Sequence, residues 1–145
     1  CFAGAVVVAA PLALGAILDH YRREEVVVWL SLLDEEDFVL SHSPVLFAQP
    51  KHLALEDPCL AVDVADTLDV EGEQAFKVTL SATSSAFWAW LDLPGCQAQF
   101  SDNFVCLEPD EPLDIFVSVV EPMTQMAFRR KLVLRSLYDI RIGRG

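Results

Sequence analysis

Asp102 and Asn103 form the one polar pair of this chain flanked by aromatic residues, Phe100 and Phe104, and Trp88 and Trp90 lie a short way upstream. A carboxylate and an amide beside exposed rings are groups that a sugar or a partner surface would meet. The same two residue types also bond their own backbone in Asx-type turns, which fixes a corner and needs no ligand. Aromatic pairs in strands more often fill cores than serve ligands, so the structural reading comes first. Paired carboxylates can run glycosidic hydrolysis. Here, however, the acidic clusters at 34–37, 69–73 and 108–111 fall in turns between strands, where charge serves solvation. His20, His42 and His52 sit on different elements, and no two stand near a metal-ligand pair. HExxH, GxSxG, GxGxxG and P-loop patterns are absent. A serine nucleophile would need a base and an oxyanion hole, and spacing assembles neither. The expectation is therefore no catalytic residue, no cofactor and no metal, with Trp88, Trp90, Asp102 and Asn103 in structural roles.

Cys1, Cys59, Cys96 and Cys106 have none of the short CxxC spacings of zinc or redox motifs. They read as small buried hydrophobes for the most part. A disulfide between two of them requires an oxidising compartment, and sequence leaves its connectivity open. The only asparagine, Asn103, is followed by Phe and Val, so no N-glycosylation sequon is present. A net charge of −12 on 145 residues argues against nucleic acid and against an anionic membrane surface as partners. The 53% hydrophobic fraction marks a globular chain with enough apolar surface for one domain or a little more.

These residues must be held by elements that the pattern outlines. Residues 2–10 read as a strand centred on Val6, Val7 and Val8, and a short helix follows from Pro11 with Leu14, Ile17, Leu18 and Tyr21 on one face. The first 18 residues carry no charge, which is marginal length for a membrane span. No initiating Met or basic n-region accompanies them, and Pro11 divides the stretch, so a chain beginning inside a longer polypeptide is the expectation. The charged run at 22–25 marks a boundary: 1–24 as the end of a preceding domain plus a linker helix, 25–145 as the main domain.

Beyond that run, apolar stretches at 26–33 and 38–47 form a hairpin around an acidic turn, with Pro44 at an edge or bulge. Residues 60–65 and 76–81 form another, with Gly72 at its tip. Phe87, Ala89 and Leu91 share one face of a central strand while Trp88 and Trp90 share the other. Pro94 and Gly95 turn that strand, and further strands follow at 104–107, 115–120 and 132–138, with 121–131 as a long connection. About eight short strands without crossover helices give an all-β, immunoglobulin-like antiparallel sandwich, preceded by one strand and one short helix. Trp88, Trp90, Phe76, Val78, Leu80 and Leu91 are its expected core.

The stretches WAWLDLPG, QFSDNFVCLEPDEPLDIFV and LVLRSLYDIR resemble the C-terminal immunoglobulin-like domain of the β-mannosidases of glycoside hydrolase family two. The corner is Phe100, Ser101, Asp102 and Asn103; the ending is Ser136 to Ile140. Upstream, residues 26–55 are similar to that family's hairpin and the loop after it, and residues 1–25 to the end of its preceding sandwich domain. The resemblance implies a non-catalytic module whose partners are the sandwich and TIM-barrel domains of a parent chain. It also implies a lysosomal or secreted setting, and contact with oligosaccharide only through the parent enzyme. The family's catalytic glutamates belong to the barrel, and no position here matches their motifs. A stand-alone carbohydrate-binding or adhesion module is the rival reading and would show an exposed aromatic platform; a membrane- or lipid-anchored sandwich is the third.

Overall fold

A computed structural model describes residues 14–70 and 73–141. The expected strand at 2–10, Pro11, Cys1, Gly72 and the last residues of the chain lie outside the described residues. The chain divides into two compact units, Cys1–Ala54 and Leu55–Gly145. The division falls after Ala54, whereas the charge run pointed to Glu24; among the described residues the first hairpin pairs only with itself.

In the first unit, helix α1 (Gly15–His20) buries no side chain, and a 3-10 turn leads to strands β1 (Val27–Leu33) and β2 (Val39–Leu46). The acidic turn between them does more than face water. Asp34 Oδ1 accepts the backbone N–H groups of Glu36 and Phe38, both at 2.9 Å, while Asp37 takes φ 64°. Pro44 stands opposite Trp29 in the ladder, where β2 has no second strand neighbour among the described residues to need its missing N–H. His42 stacks on Trp29 at 5.0 Å and meets Ser31 Oγ through Nδ1 at 2.7 Å.

The second unit is the sandwich. Strands β3 (Ala61–Val70), β4 (Glu73–Ser81), β5 (Ala86–Asp92), β6 (Ala98–Phe100), β7 (Val105–Leu107), β8 (Leu113–Val119) and β9 (Val133–Arg135) form two antiparallel sheets. One runs β3-β4-β8-β6 and the other β7-β5-β9. Phe76, Val78, Leu80, Ile115, Val117 and Val119 of the first sheet meet Ala86, Ala89, Leu91, Val105 and Leu107 of the second in one core. The alternation of β4 and β8 places these residues on one face. A four-plus-three arrangement of this kind is the immunoglobulin-like sandwich that the strand pattern implied.

Two helices stand where strand or loop was expected. Helix α2 (Gln125–Lys131) occupies the long connection; Thr124 Oγ1 accepts the Ala127 N–H at 3.2 Å, and three basic residues close its last turn. It buries Phe128 against Phe76, rings 4.1 Å apart. Its Gln125 and Arg129 both donate to the Val64 carbonyl, each at 2.7 Å, where β3 breaks register. That occupies part of a free sheet edge. The expected last strand is only β9, and helix α3 (Leu137–Arg141) replaces its second half. Ser136, fully buried, donates through its N–H to Asp139 Oδ2 at 2.8 Å, which is half of a capping box. No described helix is long and apolar enough to cross a membrane.

Candidate functional site

The SDN corner joins the two sheets. β6 belongs to the four-stranded sheet and β7 to the three-stranded one, so residues 101–104 carry the chain across the sandwich edge. Crossing strands lose ladder partners, and those backbone groups need others. Ser101 supplies them on one side: its N–H donates to the Phe116 carbonyl at 2.8 Å and its Oγ accepts the Phe116 N–H at 2.9 Å. Asn103 supplies them on the other. Its Oδ1 accepts the Leu91 N–H at 2.8 Å and its Nδ2 donates to the Leu91 carbonyl at 3.0 Å, which imitates a strand residue beside β5. The same Oδ1 accepts the Phe104 N–H at 3.1 Å, and Asp102 Oδ1 accepts the Asn103 N–H at 2.7 Å. The corner's polar atoms are therefore occupied by backbone.

Upstream, β5 is the central strand of its sheet. Phe87, Ala89 and Leu91 are buried, at 4%, 0% and 2% exposure, Ala89 and Leu91 within the core cluster and Phe87 outside it, while Trp88 and Trp90 are half-buried. Of the residues expected in the core, Phe76, Val78, Leu80 and Leu91 lie there; Trp88 and Trp90 are half-buried outside the core cluster. The register against β7 slips between Ala86 and Ala89, where Phe87 and Trp88 stand against Cys106, and Trp88 takes φ 49°. Trp90 stacks on Phe104, centroids 5.9 Å apart and planes within 16°. Pro94 and Gly95 then turn the chain: the Cys96 N–H donates to the Leu93 carbonyl at 3.1 Å, and Gly95 takes φ 73°. A side chain at that position would be strained.

The remaining candidates do not assemble. Among the described residues no group of three or more His, Cys, Asp or Glu is placed to hold a metal ion. Cys59 is exposed, against the buried-hydrophobe expectation, while Cys96 and Cys106 are half-buried, Cys96 packed against the core, all three as free thiols. Burial pushes the Cys106 thiol up from its ordinary range, against the Trp88 backbone hydrogen bond that favours its thiolate. Lys131 Nζ stands 3.1 Å from Cys96 Sγ. The carboxyl of Asp114 is held low by hydrogen bonds from Lys77 and Thr79, on an exposed ladder position.

The family model of mannosidase Ig-fold domains matches residues 55–140, which begins where the second compact unit begins. The chain belongs to the mannosidase Ig-fold domain family. Two Aspergillus niger proteins, each named Beta-mannosidase A, are similar to it at 32% and 30% identity over 95 residues. That span is 64% of this chain and 10% of theirs, so the match covers about a tenth of the length of these relatives. The corner, the bulge and both tryptophans lie inside the Ig-fold match, and the β1–β2 hairpin lies before it.

Proposed function

We propose that the chain is a non-catalytic Ig-fold module of a β-mannosidase, a retaining glycosidase that removes terminal β-D-mannose from oligosaccharides and glycoproteins. Its partners are then other sandwich and barrel domains of a parent chain, in the lysosome or outside the cell. The observation that carries this reading is the Ig-fold match together with relatives named Beta-mannosidase A that are about ten times longer than the shared span. The use of the SDN corner supports it, since Ser101 and Asn103 serve backbone groups.

The test is hydrolysis of a chromogenic β-mannoside. The 145-residue chain alone should release no chromophore, and a chain extended to the relatives' length should release it. Turnover by the short chain would overturn the non-catalytic role. An extended chain that ignores mannosides and cleaves another glycoside would overturn the sugar assignment.

A further inference from the structure

Trp88 at φ 49° and Phe104 at φ 57° both occupy the left-handed backbone region, where a bulky residue is an outlier. Such conformations cost stability and persist where surrounding structure imposes them, commonly at ligand contacts. The core does not recover the cost. Trp88 is half-buried, and Phe104 is 63% exposed. Asn103 holds the Phe104 backbone through its N–H while fastened to Leu91, and the ring lies nearly parallel to Trp90. Along β5 Trp90 and Asp92 alternate with the buried Leu91 and share a face, and Arg135 of β9 stands opposite Trp90 in the ladder.

We propose that the Trp90–Phe104 stack, with Asp92 and Arg135 at its rim, is a binding platform for one hexopyranose residue of a neutral oligosaccharide. A pyranose has a face of C–H bonds and a rim of hydroxyls. The exposed Phe104 ring, backed by Trp90, presents a flat apolar face to the first; the Asp92 carboxylate accepts from the second and the Arg135 guanidinium donates to it. The size of the surface separates this ligand from a protein partner. An aromatic residue has roughly 150–250 Å² to bury, whereas a stable interface takes about 800 Å² from each partner. Among the described residues Phe104 is the only exposed large hydrophobic of β5, β6, β7, β9 and the corner, so the exposed apolar platform is about one ring wide. Nucleobases also stack on aromatic rings, but the net charge of −12 repels their phosphates. The proposal concerns the sandwich surface itself and does not depend on which sugar a parent enzyme cleaves.

The test titrates the whole 145-residue chain with β-1,4-mannotetraose and with cellotetraose, followed by amide and indole NMR shifts. At least one saccharide should shift the Trp90 indole and the Asp92 and Phe104 amides with saturation. Phe104→Gly should weaken that binding at least tenfold while the melting temperature stays or rises, because glycine accepts φ 57° without strain. Arg135→Gln should weaken it severalfold. A Phe104→Gly chain that melts several degrees lower and binds saccharide as before would overturn the proposal, since the ring would then be packing. So would the absence of saturable shifts with both saccharides, or self-association of the wild-type chain that Phe104→Gly abolishes.

Discussion

Replacing Asn103 with alanine tests whether the corner, more than its turn shape, holds the sandwich together. The substitution removes three side-chain hydrogen bonds: from Leu91 N–H at 2.8 Å, to the Leu91 carbonyl at 3.0 Å and from Phe104 N–H at 3.1 Å. Phe104 is exposed and water can replace its partner. Leu91 is 2% exposed in the central strand of its sheet, so its N–H and C=O have far less access to water. Leaving a buried backbone group unmatched costs about 1–3 kcal/mol, and partial hydration through the vacated space lowers the total for two such groups to about 2–4 kcal/mol. With a urea slope of roughly 2 kcal/mol per molar, in the middle of the small-domain range, the midpoint should fall by about 1–2 M. Asp102→Ala is the internal control: the exposed Asp102 loses one solvent-accessible bond, from the Asn103 N–H, and the variant should stay within about 0.5 kcal/mol of wild type. Asn103→Asp should fall between the two at neutral pH, because it keeps the acceptor but turns a carboxylate oxygen toward the Leu91 carbonyl. Equal losses for Asp102→Ala and Asn103→Ala, or a loss below about 0.5 kcal/mol for Asn103→Ala, would refute the strand-mimic account.

Two further outcomes follow from packing and charge. Phe128→Ala should cost about 3–5 kcal/mol by chemical denaturation, because the ring is fully buried and stacked on Phe76, whereas Met126→Ala on the exposed side of α2 should change stability by less than about 0.5 kcal/mol. Asp114 has a carboxyl held below its ordinary value by Lys77 and Thr79, so the unfolded chain binds its proton more readily than the folded one. Its contribution is thus present above the unfolded carboxylate range near about pH 4 and is lost as pH falls through the lower folded value. Asp114→Asn should cost no more than about 1 kcal/mol at neutral pH, since the pair is exposed. That gap should close in acid, and an undiminished gap there would show that the ion pair is not its source.

The sandwich was legible because its signals are local and repeated. Phe76, Val78 and Leu80 alternate with Lys77, Thr79 and Ser81, and only one register buries the first set. The two helices of the second unit were less visible, yet each carries a cap in the sequence. Thr124 precedes a run of good helix formers ending in basic residues, and Ser136 stands three residues before Asp139. An apolar run at 132–134 masked the second signal, because it reads as a strand whose end propensity cannot place. The face of β5 that enters the core was not legible either. Both faces are apolar, and the bulge between Ala86 and Ala89 changes the pairing with no glycine to announce it. The first boundary rested on a charge run, whereas the compact units follow pairing: among the described residues β1 and β2 have no other strand beside them.

The corner also explains why stability and exposure meet at one residue. Asn103 Oδ1 accepts from Leu91, which is core, and from Phe104, which is surface. A single amide therefore closes the sheet crossing and fixes the backbone at φ 57° that sets the Phe104 ring beside Trp90. If only the crossing mattered, glycine at 104 would serve it with less strain, because glycine adopts positive φ freely. An aromatic residue there adds a ring that is 63% exposed and contributes little to the core. The two demands separate experimentally: Asn103→Ala should disturb both fold and platform, and Phe104→Gly the platform alone. A melting temperature that falls in both variants would assign the ring to packing, and one that falls only with Asn103 would leave the ring a role on the surface.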